Sequence, residues 1–268
     1  MRAMQLVAGS KLKRTQNKMV QGRLVLEFLD ALLQRVLAST KDLKHPLCES
    51  QGEGAAALVL FTSDAGLCGS YNTNLIAQAE NYLRKDMAKP PQVIYIGKKG
   101  HRYFTKRGYP SAEAYLNLAG RPDSAKAEAI ARGLMGRFLK GEIASVDILF
   151  STFKSALVYR PVIWRWLPIA LEQNPEVQAK ISADKYIFEP SAKEVFEDLL
   201  PRWAIAKFQL AMLEAFTSEH SARMIAMKNA TDNAEVLLKE LTLQRNRIRQ
   251  AGITKEISEI VGTAEALK

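Results

Sequence analysis

From Ser191 to Lys268 the chain carries a single proline, Pro201, near the start of the stretch. Through this span apolar or small residues recur at alternating steps of three and four. One series reads Ala206, Leu213, His220, Met227, Ala234, Leu241, Ile248, and its companion reads Trp203, Leu210, Thr217, Met224, Thr231, Leu238, Arg245. This is a heptad seam, the repeat of about 3.5 residues shown by helices that wind around each other. One helix over the whole stretch would be a rod of roughly 110 Å, several times the length of an ordinary domain helix. A rod of that length is a shaft or a bridge, and it needs something to wind against.

The start of the chain supplies a partner. Leu12, Met19, Leu26 and Leu33 fall seven apart, and Ala8, Thr15, Gly22, Leu29 and Val36 fill the companion positions, which predicts a helix over residues 1 to about 40. Ala8, Thr15 and Gly22 on one helix and His220, Thr231 and Ala234 on the other leave the upper seam little apolar area to bury. Lower down, Leu24 to Leu37 is apolar nearly all round, so that end is expected to be covered on two sides, one of them a globular body.

The body is the middle of the chain. Lys44 to Gly54 reads as a connection. Ala57–Thr62 is a continuous apolar run of the kind found in buried strands, followed by the turn SDAGLCGSYNTN and a helix to about Met87. Val93–Ile96 is a second strand, Lys98–Arg107 a helix, 123–140 a further helix and Val146–Phe150 a strand. Ser155–Leu167 is rich in β-formers with Pro161 marking an edge, and Tyr186–Phe188 is a last extended piece. Strands alternating with helices imply a mainly parallel, covered sheet. The expected fold class is α/β: a long antiparallel coiled coil of N- and C-terminal helices (1–42 and 191–268) with an inserted Rossmann-like α/β domain (43–190).

Composition narrows the function classes. At 47% apolar and 25% charged residues the chain has the make-up of a folded globular protein, and no run approaches the ~18 apolar residues of a membrane span. The basic amphipathic start continues the helical pattern without a cleavage-like break, so it reads as structure and not as a presequence. Cys48 and Cys68 stand without CxxC spacing, against a zinc site or disulfide framework, and a reducing cytoplasm is the default. A formal charge of +10 favours an acidic partner: nucleic acid, an anionic membrane surface or acidic protein loops, or else simply a solvated basic surface.

Candidate chemistry is sparse. GLCGSYNTN follows a strand, where glycines can cradle phosphate, but it matches neither GxGxxG nor GxxxxGK[ST]. A tight turn capped by Ser70, Asn72 or Thr73 fits better. Cys68 is a possible nucleophile, yet the chain has only His45, His101 and His220, none near it in sequence, so a buried cysteine is favoured. His220 lies on the seam, where a polar residue sets register. Asp64, Asp123 and Asp147 form no carboxylate pair. Lys239, Arg245, Arg247, Arg249 and Lys255 crowd the end of the last helix, but no aromatic residue follows Phe216 to stack on bases. Past Ile248 the seam changes phase: Gly252 and Lys255 fall where it should continue, and the apolar residues move to Ile253, Ile257, Ile260 and Val261. The tip thereby presents an apolar plug suited to a socket made by other chains.

These residues carry a resemblance. SEHSARMIAMKNATDNA (Ser218–Ala234) with NRIRQAGITKEISEIVG (Asn246–Gly262), AMQLVAGSKLKR (Ala3–Arg14), SDAGLCGSYNTNL (Ser63–Leu75) and YIFEP (Tyr186–Pro190) together resemble, in order and over nearly the whole chain, the gamma subunit of F-type ATP synthase. The resemblance implies a rotor shaft without an active site or cofactor of its own, working as a subunit of an ATP-synthesising and ion-transporting complex. Its partners would be three alpha and three beta subunits, an epsilon subunit and a ring of c subunits. It implies no nucleic-acid partner, membrane contact only through the c-ring, and a peripheral position on the cytoplasmic face of a bacterial inner membrane. By matching positions it implies that Arg249, Gln250, Thr254 and Glu256 face beta near the tip, that Met4 and Lys228 lie at the level of an acidic beta lever, and that Tyr186 and Glu189 face the c-ring.

Two departures bear on these expectations. The family has roughly 20 more residues before the position of Met1. Independently, heptads from about 192 to 248 call for a partner of some ~56 residues where the first helix supplies about 40. The expectation is a truncated or misassigned start, or an unpaired tip. The chain also lacks the cysteine-bearing insertion of chloroplast members, which implies no thiol regulation. From other classes, a basic coiled-coil adaptor or nucleic-acid-binding protein with an α/β head, and a free-standing α/β enzyme, stay open on the residues alone.

Overall fold

A computed structural model describes residues 1–40, 43–49, 54–84, 91–109, 111–171 and 188–266. Two helices frame it: α1 (Arg2–Ser39) and a C-terminal helix of 75 residues, α5 (Ala192–Ala266). Between them come β1 (Ala55–Phe61), α2 (Tyr71–Leu83), β2 (Gln92–Ile96), α3 (Lys98–Thr105), β3 (Ser111–Tyr115), α4 (Ser124–Leu139), β4 (Ile143–Phe153) and β5 (Tyr159–Leu167). The sheet order is β3-β2-β1-β4-β5, with parallel pairing except between β4 and β5.

The apolar runs are strands because both faces of the sheet are covered. Alternate side chains of a strand point to opposite faces. Leu58 and Leu60 pack with Tyr71, Leu75 and Phe104 of α2 and α3, while Ala57, Val59 and Phe61 pack with α4, the lower part of α1 and α5. The long helix thus lies directly on the sheet, with Phe208 against Phe61 and Trp166. Pro161 sits on the edge strand β5, where a missing N–H costs no ladder bond. Strand β3 has no counterpart in the sequence-based expectation. Its five residues, SAEAY, are half-exposed and include poor strand formers, so it is recruited by the open edge of β2 and not by its own propensity. Residues 154–158 form the turn between β4 and β5 rather than the start of a strand. Of the expected extended piece Tyr186–Phe188, the first two residues lie outside the described residues.

Ser191 caps the start of α5: its hydroxyl accepts from Glu194 N at 3.2 Å and donates to the Glu194 carboxylate at 2.9 Å. Helices α1 and α5 run antiparallel. A Cβ at Gly9 would meet Met224 and one at Gly22 would meet Leu213 and Leu210, while Trp203 Nε1 donates to Asp30. Ala8, Leu12, Thr15 and Met19 bury one stripe of α1, as the heptads require. One expectation holds in part and another in full. Leu24, Val25 and Phe28 remain exposed, so that face of α1 is not covered, while Leu33, Val36 and Leu37 pack into the core of the α/β body as expected. The seam stops pairing well before Ile248, which leaves the tip unpaired, one of the outcomes the short first helix called for. The register carries the first turn of α1 to the level of Thr231, and from Asp232 to Ala266 every residue of α5 but the half-buried Asn246 is exposed. Leu238, Leu241 and Ile248 project from a bare rod of roughly 50 Å.

Candidate functional site

Two parts of α5 stand out: a polar collar where it crosses the sheet, and the bare rod above it. In the collar, Glu214, Thr217, Ser218, Glu219, His220 and Ser221 are all buried. A buried polar group without a partner would cost about 1–3 kcal/mol, so such a run survives only if each member is satisfied. Ser218 Oγ donates to Ser151 O at 2.9 Å and Ser221 Oγ to Ala156 O at 2.5 Å, tying the helix to β4 and to the turn after it. Thr217 Oγ1 donates to Leu213 O within the helix. Tyr71 of α2 donates to Ala215 O at 3.0 Å. Glu219 pairs with Arg223 at 2.8 Å, and Arg223 also donates to Ala65 O and Gly66 O. Burial raises the Glu219 pKa, and Arg223 opposes the shift.

His220 lies on the seam beside Lys11, Arg14 and Thr15 of α1, and its hydrogen bond is to the α/β domain. Its Nε2 lies 2.9 Å from Gly120 O, in the turn before α4, so it pins the helix to the α/β domain. Burial is the first cause that lowers its pKa, to about 4, against the raising effect of the Gly120 bond, so the ring is neutral near pH 7. Gly120 is required twice over: its φ is +64°, and a Cβ there would stand 2.7 Å from the imidazole.

The SDAGLCGSYNTN turn is the other half of the collar. Asp64 accepts from Lys98 N, Asn117 N and Ala119 N at 2.7–3.1 Å, so it caps α3 and holds the loop that carries Gly120. Ser70 precedes α2 without a side-chain cap bond, contrary to the expected capping. Asn72 instead accepts from Ser63 N at 3.0 Å and bonds the Ser63 hydroxyl. Cys68 is buried with its sulfur near Asn72 Nδ2 and Ser63 Oγ. The Asp64 carboxylate and the Ser63 and Tyr71 N–H groups of this turn are bonded inside the fold. Asp123 caps α4, and Asp147 is bound by Arg165.

Four of the predicted contact residues lie on the rod. Arg249, Gln250, Thr254 and Glu256 are exposed, with Thr254 Oγ1 donating to Gln250 O at 2.9 Å. Seven residues apart, Arg249 and Glu256 share one face, and Gln250 and Thr254 the adjoining one. Met4 and Lys228, both exposed, fall at one level of the coiled coil by the register that sets Gly9 against Met224. Glu189 is exposed just before α5, roughly 85 Å down the helix from Arg249. Tyr186 lies outside the described residues. Sequence reasoning missed two sets. Lys11, Arg14 and Lys18 share a face of α1 and line a cleft with Arg121 and His220; their spacing of three, then four, was the available signal. Arg23 and Glu214, which bridge α1 and α5, had no signal short of the tertiary contact.

Comparison with known proteins bears on this architecture. A family model described as ATP synthase matches residues 1–267. The chain is 40% identical over 267 residues to the ATP synthase gamma chain of Desulforamulus reducens, covering all of this chain and 93% of that one. It is 39% identical over 269 residues to the ATP synthase gamma chain of Symbiobacterium thermophilum, covering all of this chain and 92% of that one. Among solved structures, a chain of the Tetrahymena thermophila mitochondrial ATP synthase central stalk and c-ring superposes with a TM-score of 0.64 at 23% identity, over 86% of this chain and 98% of that one. A chain of the Euglena gracilis mitochondrial ATP synthase gives 0.60 at 18% identity, over 100% and 95%.

Proposed function

The chain belongs to the family of ATP synthase gamma chains, and from that premise we propose that it turns as the central shaft of a rotary, ion-coupled ATP synthase. One observation carries this most directly. A single 75-residue helix is clamped at its base to an α/β body and runs far beyond that body. Exposed Ile253, Ile257, Ile260 and Val261 make little sense in water and good sense inside a protein socket. The bare rod stands in the bore of a ring of three alpha and three beta subunits. Arg249, Gln250, Thr254 and Glu256 meet beta near its tip, and Met4 and Lys228 meet an acidic beta segment lower down. The α/β domain rests on the c-ring through Glu189 and Tyr186, with epsilon beside it.

In this arrangement the chain makes and breaks no bonds. Ion flow turns the ring, the domain follows, and the asymmetric rod drives the beta sites through different nucleotide affinities. The site that hydrolyses or forms ATP belongs to the partners. No helix among the described residues is long and apolar enough to cross a membrane, and the chain reaches the cytoplasmic face of a bacterial inner membrane through the c-ring. Co-purification tests this directly. Tagged protein expressed in its native host should bring down alpha and beta in a nucleotide-hydrolysing complex, and should bind DNA weakly with no sequence preference. Recovery alone, or with nucleic acid as the main partner, would sink the proposal.

A further inference from the structure

The joint formed by Arg23, Glu214 and Phe153 differs from every other contact in the collar, because it ties three bodies at once. Arg23 is on α1, Glu214 on α5, and Phe153 is the last residue of β4. Arg23 Nε donates to Glu214 Oε1 at 2.8 Å, and its Nη2 donates to Phe153 O at 2.7 Å. The other carboxylate oxygen of Glu214 accepts from Phe153 N at 2.6 Å and from Thr152 Oγ1 at 3.2 Å. Both backbone polar groups of one strand residue are thus held by an ion pair whose halves come from the two helices. The Glu214 side chain is 4% exposed. The Phe153 ring packs in the same place with Leu12, Met19 and Leu210.

Apolar contacts between helices are non-directional and tolerate sliding, and the seam above this point is built partly of Ala8, Thr15 and Gly22. Hydrogen bonds are directional, and a buried carboxylate that loses its partners is heavily penalised. Any slip of α1 along α5, or any twist of both helices against the sheet, strips Glu214 of at least one partner. The collar bonds of Tyr71, Ser218, His220 and Ser221 join α5 to the domain but leave α1 out.

We infer that Arg23 and Glu214, closed on Phe153, are the positioning residues that lock the two-helix shaft to the α/β domain so that torque passes between them. This rests on the rotor function proposed above, and the test separates the two. In the complete membrane complex, ATP hydrolysis and ATP-driven ion pumping are measured together for wild type, Glu214→Ala, Arg23→Lys and Leu134→Ala. Leu134 is buried in α4 away from the joint and controls for simple loss of stability. Arg23→Lys keeps the charge but cannot serve Glu214 and Phe153 O in the same fork. The ratio of pumping to hydrolysis should fall several-fold in Glu214→Ala, fall less in Arg23→Lys, and hold at the wild-type value in Leu134→Ala. An unchanged ratio in Arg23→Lys overturns the inference even if Glu214→Ala fails to assemble, and so does an equal fall in Leu134→Ala. Failure of the wild-type chain to complete a hydrolysing complex would instead overturn the rotor function.

Discussion

His220 concentrates the chemistry of the collar in one side chain. Its imidazole is buried and neutral, and its pKa is lowered to about 4 first by burial, with Arg223 and Lys11 pushing the same way and the Gly120 bond opposing. In the unfolded chain the ring titrates near its usual value of about 6.5. As pH falls from 6.5 toward 4, the unfolded state takes up a proton that the folded state refuses, so stability is lost across that window, by about 3 kcal/mol at its limit. Glu219 works the other way, since its raised pKa makes acid favour the folded chain. The variant His220→Asn isolates the histidine: its denaturant midpoint should change less between pH 7 and pH 5 than that of wild type. An unchanged slope would assign the acid sensitivity elsewhere. Gly120→Ala attacks the same contact from the domain side. A left-handed alanine costs roughly 1–2 kcal/mol before the clash with the imidazole is counted, so a drop in Tm of several degrees is expected, with the neutral ring displaced from its carbonyl.

At the level of elements, α5 is two helices in one. Up to Thr231 it is held by α1, the sheet and the collar; beyond, intrinsic helix propensity alone supports it, and that is marginal in water. Amide exchange of the free chain should therefore be slow from Phe208 to Ala222 and fast from Asp232 to Ala266, and assembly with partner subunits should slow the second region. Uniform protection along α5 in the free chain would contradict this division. The exposed face bearing Arg249 and Gln250 belongs to the fast region. Arg249→Ala with Gln250→Ala is expected to lower turnover of the assembled complex while leaving assembly intact, because removing two polar contacts from a long rod spares most of its buried area. Wild-type turnover would remove these residues from the mechanism.

For the whole molecule, the distribution of polarity matters more than any pocket. A stiff body, a clamped base and a bare tip divide the labour of a shaft, and the directional bonds gather where the body meets the rod. The two cysteines are separated by the fold. Cys68 is buried beside Asn72, while burial and Glu49 raise the Cys48 thiol to about 11, so little thiolate forms near pH 7. ATPase activity of the complex should accordingly be indifferent to dithiothreitol and to mild thiol oxidants. A reversible change in turnover with redox state would point to a regulatory thiol.

Periodicity made the framework legible. Heptads in Trp203–Met227 and Ala8–Leu33 announced two helices that pair, and the apolar runs at Ala57 and Val146 announced covered strands, because burial on one stripe or on both faces imposes those patterns. Strand β3 was invisible because it borrows its order from the edge of β2. The seam fixed which faces of the helices meet, and the shortfall of the first helix against the heptads of α5 already called for an unpaired stretch. The joint, by contrast, was hidden. Arg23 and Glu214 are 191 positions apart, and nothing local distinguishes a buried ion pair from two surface charges. The sequence by itself determined a long rod that must be gripped. Tertiary structure decided where the grip lies, because a directional bond exists only once donor and acceptor from distant segments share one place.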